Sequence, residues 1–309
     1  MQVEEFRLGE APLEFWRLAD RNGPAAVFYN SELLHLWSHC YGWSSLLLKA
    51  ANSYLPGYVE RRVWGSKFYS LPFGWYGGLL ASEPDAAATE ALFSYLLEQK
   101  YAELSVVSYA NAIEPMPSAF ESRPLTTHLL DLQAEVPYSE NTRRNLTRAE
   151  AAELEVSALT EAQVPAALKL LKEHERLTQK PRKIKAAYYD ELLRLSLRSD
   201  SNVEVLIATR DGDLFACHIY FTSESDIFYL DGFSNDAGRE LAANFLLFDR
   251  KIQDTCRRGL KRLNFGASPA DDEGLRRFKE GWGARPVEYV EYYNASGVKR
   301  IVDQVRREL

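Results

Sequence analysis

The sequence predicts an α/β protein, α+β in the arrangement of its strands. It expects two lobes, each a mixed, mainly antiparallel sheet flanked by helices. Three observations predict this. The chain has 309 residues, enough for one large domain or two of average size. Its composition, 46% hydrophobic and 26% charged, is that of a globular protein with a full core. One order of elements is written twice, once in each half: helix, helix, three strands, helix, strand, short helix, strand. Three antiparallel strands, a crossover helix and a further strand make a mixed sheet.

In the first half PLEFWRLAD (12–20) and SELLHLWSHCY (31–41) read as helices, the second with Ser31 as its expected N-cap. SLLLKA (45–50), YLPGYVERRVW (54–64) and KFYSLPF (67–73) read as three strands. AATEALFSYLLEQK (87–100) is the crossover helix, AELSVVSY (102–109) the next strand, and LTTHLLDL (125–132) closes the half after a short Pro-bounded piece. In the second half EAQVPAALKLLKEHERLTQ (161–179) and AAYYDELLRLSLRS (186–199) are helices. VEVLIAT (203–209), LFACHIYFT (214–222) and IFYLDG (227–232) are strands joined by RDGD and SESD turns. RELAANFLLFDRKIQDTCRR (239–258) reads as one long amphipathic helix ended by Gly259. KRLNFG (261–266), EGLRRFKEGW (273–282) and PVEYVEYY (286–293) give strand, short helix and last strand. The expected lobes are 1–136 and 137–296, with an amphipathic helix over 297–309 packing back on the first.

Charge and cysteine content exclude several classes. The formal net charge is -7, so no whole-molecule field attracts nucleic acid, and DNA is not an expected partner. Basic residues come in local runs, TRRNLTR (142–148), KPRKIK (180–185), CRRGLKR (256–262) and RRFK (276–279), which suit helix ends or a local RNA contact. Three cysteines lie far apart with no CxxC pair, which argues against zinc and disulfide frameworks and for the reducing cytoplasm. His35 and His39 share a helix face beside Cys40 but lack a third nearby ligand, so no metal is expected. The opening MQVEEFRLGE is acidic and polar, unlike a signal peptide. No apolar run reaches the ~20 residues of a membrane span, which leaves contact with a membrane surface as the expected limit.

Several stretches then carry a resemblance. NTRRNLTRAEAAELEV (141–156) looks like a basic linker helix, IFYLDGFS (227–234) like a central strand and its turn, and LNFGAS (263–268) like a strand ending in glycine. RRFKEGWGARPVEY (276–289) looks like a Phe-Lys motif before a last strand, and FYSLPFGWYGGLLAS (68–82) resembles first-lobe sequences found with bacterial exopolysaccharide systems. In this order they resemble the Fem family, transferases built from two N-acetyltransferase-type (GNAT) lobes. The resemblance implies transfer of an amino acid from aminoacyl-tRNA to an amine of a peptidoglycan or polysaccharide precursor. Within the wider superfamily acyl-CoA is the other donor, and no resident cofactor is implied. The alternative is a non-catalytic binding or scaffold protein on the same fold.

Amide formation needs a neutral amine, a stabilised oxyanion and a route for the amine's proton, with no covalent nucleophile. The chain has no GxSxG elbow and no cysteine placed with a histidine. The resemblance puts the Phe-Lys pair on Phe278 and Lys279, with Lys279 stabilising charge during transfer, and an acceptor-contacting arginine on Arg182. Asp231, ending the central strand, is a candidate proton acceptor, with Tyr229 expected on the same side of the strand. Known Fem enzymes carry a tyrosine near Asp231 and a lysine after the helix tryptophan, whereas this chain reads LWSHCYGW there. Phe73, Trp75 and Tyr76, among glycines in LPFGWYGGLL (71–80), are candidates to stack on a sugar or peptide. SNDAGRELAAN (234–244) stands where a GNAT pyrophosphate loop belongs, so Gly238, Arg239 and Asn244 are the candidate donor contacts. Each residue has a plain structural alternative. Lys279 would be a solvated lysine beside a core phenylalanine, Arg182 a loop cation, Asp231 a turn cap, and the 71–80 aromatics a buried turn.

Overall fold

The computed structural model describes residues 1–21, 23–63, 65–72, 75–109, 118–178, 184–269 and 271–296, with backbone alone over 23–25. Phe73, Arg182 and the expected 297–309 helix lie outside the described residues. In chain order the elements are β1 (Glu4–Phe6), α1 (Leu13–Asp20), α2 (Ser31–Tyr41), β2 (Ser44–Ala50), β3 (Ser53–Arg62), β4 (Gly65–Tyr69), β5 (Leu80–Ala81), α3 (Ala86–Glu98), β6 (Glu103–Ser108) and β7 (Glu121–Asp131). There follow α4 (Glu140–Ala151), β8 (Glu155–Ala158), α5 (Val164–Thr178), α6 (Ala186–Leu195), β9 (Val203–Arg210), β10 (Asp213–Thr222), β11 (Asp226–Ser234), α7 (Asp236–Glu240), α8 (Ala243–Arg257), β12 (Arg262–Ala267), α9 (Glu273–Glu280) and β13 (Arg285–Ala295).

The chain forms two compact units, residues 1–125 with 288–309, and residues 126–287. The first carries strands in the order β1-β2-β3-β4-β6-β13, with β5 beside β3. The second carries β7-β12-β11-β10-β9-β8. Each has one parallel neighbour pair across its crossover helix, β4 with β6 and β11 with β12. The strands and crossover helix of the repeated order are therefore present in both units, the short Pro-bounded piece of the first half falling mostly outside the described residues, and the strand pairing is mixed and mainly antiparallel as expected.

Four details depart from the sequence reading. The closing strands are exchanged. LTTHLLDL pairs as β7 with β12 in the second unit, and the last strand, β13, pairs with β6 in the first, Val290 opposite Ser108. Hydrophobic alternation says which strands exist; it does not say which neighbour completes their hydrogen bonds. The short strands β1 and β8 were not expected; they pair at the edges with β2 and β9. The N-cap of α2 is Asn30, not Ser31, because the Asn30 Oδ1 accepts from the amides of Glu32 at 2.9 Å and Leu33 at 3.3 Å. The long helix expected over 239–258 is broken: α7 ends at Glu240, and Ala242, at φ 56°, starts α8 afresh.

Other expectations hold. The RDGD turn places Asp211 and Gly212 at φ 54° and 86°, the twist that a two-residue hairpin needs. Ser139 caps α4, and its amide donates to the Gly281 carbonyl at 2.9 Å. Thr142 Oγ1 donates to the same carbonyl at 2.8 Å, so the start of the linker helix is fastened to the end of α9. The core of the first unit gathers Leu48, Leu55, Phe68, Phe93 and Leu104. That of the second gathers Tyr220, Phe248, Ile252, Phe265 and Trp282 beneath α8.

Candidate active site

The second unit opens where β11 and β12 part. Their parallel register runs from Asp226–Arg262 to Phe228–Asn264, although β11 continues to Ser234 and β12 to Ala267. Ligands of open α/β sheets sit in the crevice beyond such carboxyl ends. Both strands are irregular at this point. The register of β10 with β11 shifts between Ile219–Asp231 and Tyr220–Tyr229, so Leu230 is an extra residue in β11. The register of β12 with β7 shifts between Asn264 and Ala267, and Gly266 lies in that irregularity at φ 77°, a conformation that glycine reaches without strain.

The β11 bulge corrects one expectation. Tyr229 and Asp231 do not face the same side. Tyr229 packs toward α8, its ring 4.6 Å from Phe248 and 5.1 Å from His218. Asp231 points toward α6, where it accepts a hydrogen bond from Tyr189 OH, and its Oδ1 accepts from the Gly232 amide at 2.8 Å. One inserted residue reverses the alternation. Asp231 is half-buried and hydrogen-bonded, so it serves in part as the turn anchor before Gly232.

Lys279 is buried, 3% exposed, on α9. It is neither a solvated lysine nor a bare charge. Its ammonium donates to Gly266 O at 2.8 Å, Ala267 O at 2.7 Å and Ser268 Oγ at 3.0 Å. Three acceptors match its three N–H donors. Burial pushes the ammonium down to about 7, with Asp272 opposing. A group titrating there holds both charged and neutral forms near neutral pH, as an acid or base for amine chemistry requires. Its acceptors belong to the end of β12, and a side chain built on Gly266 would lie 3.6 Å from the Tyr229 carbonyl of β11. Lys279 thus supports the point where the two strands separate.

Phe278 turns into the core, its ring 5.4 Å from Phe245 and 5.6 Å from Phe248. The donor candidates are engaged internally. Asn235 caps α7 and its Oδ1 takes the Gly238 amide at 2.7 Å. A Cβ on Gly238 would stand 2.2 Å from the Phe215 carbonyl, so this glycine serves close packing against β10. Asn244 Oδ1 accepts from His218 Nε2 at 3.1 Å, and its Nδ2 donates to Ser234 Oγ at 3.2 Å. Arg239 is exposed on α7. His218 is fully buried, and burial lowers it to about 3, so it is a neutral hydrogen-bonding residue of the core.

In the first unit Trp75 and Tyr76 are buried, 5% and 2% exposed. Trp75 meets Trp37 at 4.7 Å, and Tyr76 stacks on Tyr109 at 4.3 Å. Their faces pack on other aromatics of the same unit. His35 and His39 stack at 6.2 Å, and no metal-holding cluster of His, Cys, Asp or Glu occurs among the described residues. Among these residues no helix is long and apolar enough to cross a membrane.

Sequence reasoning missed the residues around Lys279. Ser268 Oγ lies 2.8 Å from His128 Nδ1, and His128 Nε2 lies 3.6 Å from Glu280 Oε1. His128 is fully buried on β7, a strand assigned by sequence to the other half. The one signal that could have found it is a histidine set directly before the apolar pair Leu129 and Leu130 of a strand. A recess of about 590 Å³, lined by Asp131, Lys261, Arg262 and Arg285 among others, lies at the opposite, amino-terminal end of β12.

Residues 138–280 match the model of the family described as the acetyltransferase (GNAT) domain. No curated protein matches the sequence. Solved structures share the fold at low identity. FemX aligns with a TM-score of 0.68 at 10% identity, over 94% of this chain and 97% of that one. The C-terminal domain of a protein assigned as a lysylphosphatidylglycerol synthetase of Agrobacterium fabrum aligns with a TM-score of 0.62 at 14% identity, over 93% and 95% of the two chains. A tandem GNAT protein from the clavulanic acid biosynthesis pathway aligns with a TM-score of 0.55 at 13% identity, over 96% and 99%. These likenesses fix the fold as two GNAT lobes in tandem.

Proposed function

We propose that this chain, an acyltransferase with the Fem-like tandem GNAT fold, joins an aminoacyl group to an amine of a cell-envelope precursor. The observation that carries the reading is the buried Lys279 held against the end of β12, beside the place where β11 and β12 part. The donor's carbonyl would lie in that opening. The acceptor's amine attacks it, the new C–N bond forms, and the bond from the carbonyl to the donor's leaving oxygen breaks. Lys279 supplies a charge beneath the developing oxyanion while the amine's proton passes to the departing oxygen, or in its neutral form takes that proton and hands it to the departing oxygen.

Two features favour an aminoacyl-tRNA donor over acyl-CoA. Gly238 and Asn244 spend their hydrogen bonds within the protein, which leaves the usual pyrophosphate position poorly furnished. On α4, Arg144 and Arg148 are exposed and held by asparagines, Asn141 at 2.8 Å and Asn145 at 2.7 Å, and Arg143 is exposed beside them. Guanidinium groups so placed suit phosphodiesters. The envelope acceptor rests on the kinship in fold with FemX and with the lysylphosphatidylglycerol synthetase domain.

Calorimetric titration with acetyl-CoA and longer acyl-CoAs tests the donor. The expected result is no micromolar binding, followed by transfer from aminoacyl-tRNA to an amine-bearing envelope precursor. Micromolar acyl-CoA binding would replace the tRNA donor. Absence of transfer from either donor would overturn the reaction and favour a binding protein on this fold.

A further inference from the structure

The surroundings of Lys279 form a chain of hydrogen-bonding groups that leads to the surface. A lysine ammonium only donates, so Ser268 Oγ accepts from it at 3.0 Å. The Ser268 hydroxyl proton is then available to point at His128 Nδ1, 2.8 Å away. With Nδ1 accepting, the neutral imidazole carries its proton on Nε2, which faces Glu280 Oε1 at 3.6 Å. His128 and Ser268 are buried, 0% and 5% exposed, whereas the Glu280 side chain is 49% exposed. This last separation is longer than a hydrogen bond, and the relay requires the exposed Glu280 carboxylate to move in on Nε2. The four groups come from three elements: β7, the turn after β12, and α9.

We propose that Ser268, His128 and Glu280 form a relay that exchanges a proton between buried Lys279 and solvent, and so sets the charge state of Lys279 without opening the site. The Lys279 ammonium gives one proton to Ser268 as Ser268 gives its own to His128 Nδ1 and His128 gives its Nε2 proton to the Glu280 carboxylate. The products are a neutral Lys279 amine, the Nδ1–H tautomer of His128 and a protonated Glu280, which releases its proton to water. The reverse steps restore the ammonium. Burial and the nearby Lys279 charge lower His128, Glu280 opposes them, and Arg276 on α9 adds to the lowering. Asp272, at the start of α9, favours the Lys279 ammonium. The imidazole therefore passes protons as a neutral group, without itself storing charge.

For catalysis the relay rests on the proposed role of Lys279, but it can be tested without substrate. In the full-length protein labelled with nitrogen-15, His128 is expected as the neutral Nε2–H tautomer below the titration of Lys279, where the ammonium is present. The Nζ hydrogens of Lys279 are expected to exchange with water. Ser268→Ala, and separately Glu280→Gln on the exposed end, should slow that exchange by about tenfold or more with the melting temperature of Glu280→Gln unchanged. An Nδ1–H tautomer while Lys279 is still charged, or wild-type exchange in Glu280→Gln, overturns the relay. In a transfer assay Glu280→Gln should shift the pH profile of kcat and leave KM in place; an unchanged profile counts against the relay. A wild-type protein that transfers nothing would sink the proposed reaction while leaving the exchange result standing.

Discussion

At the residue scale, Lys279 shows how burial decides the chemistry of a side chain. A lysine free in water is charged at any physiological pH; this one, against backbone carbonyls and away from solvent, falls to about 7. The sign for stability follows. The unfolded chain keeps its proton up to the ordinary lysine range, the folded chain gives it up near 7, so between these values unfolding takes up a proton and stability rises with pH. Below 7 the full cost of the buried charge is present. Lys279→Met should therefore lose less stability relative to wild type at pH 6 than at pH 9, by a few kcal/mol, since a tenfold change in proton affinity is worth about 1.4 kcal/mol. Denaturant midpoints at the two pH values check this, and a pH-independent difference would contradict it. In the same variant, transfer should fall by about a hundredfold or more, as for loss of a charge at an oxyanion. Phe278 and Lys279 were legible in the sequence as a pair. Their split, one ring into the core and one ammonium onto the end of β12, was not, because neighbours on a short helix face different directions.

At the element scale, the bulge in β11 and the break before α8 carry most of the site's geometry. Strand existence was readable from alternation in IFYLDG, but the extra residue at Leu230 was not, since a bulge costs nothing in hydrophobic pattern on a strand packed on both faces. That one residue separates Tyr229 from Asp231. The break at Ala242 was hidden by good helix formers on both sides. Gly238 gives a test of this region. Its Cα faces the Phe215 carbonyl, and a methyl there would lie 2.2 Å from that oxygen. Gly238→Ala should lower stability by about 1–3 kcal/mol by forcing α7 away from β10. A thermal melt reads this directly; an unchanged melting temperature would show that α7 moves freely.

For the whole molecule, the exchanged strands tie each unit's fold to both halves of the sequence. β13 pairs with β6 over Val290–Ser108 to Ala295–Glu103, and Ser105 Oγ donates to Glu291 at 2.6 Å. Stopping the chain after Val287 removes that partner. Amides of β6 should then lose hydrogen-exchange protection, whereas those of β9 and β10, whose partners are retained, should keep theirs. Equal loss in both would mean that the units unfold as one.

The sequence by itself determined the two mixed sheets, the order of elements and the lysine that marks the candidate site. Periodicity, turn residues and a local motif are properties of neighbours along the chain, and these the sequence displays. Tertiary structure alone decided which sheet each closing strand joins, that Trp75 and Tyr76 are core residues, and that His128 and Ser268 stand between Lys279 and Glu280. His128 and Ser268 are separated by 140 positions. Their meeting depends on backbone hydrogen bonds between distant strands and on a register that no local pattern of side chains specifies.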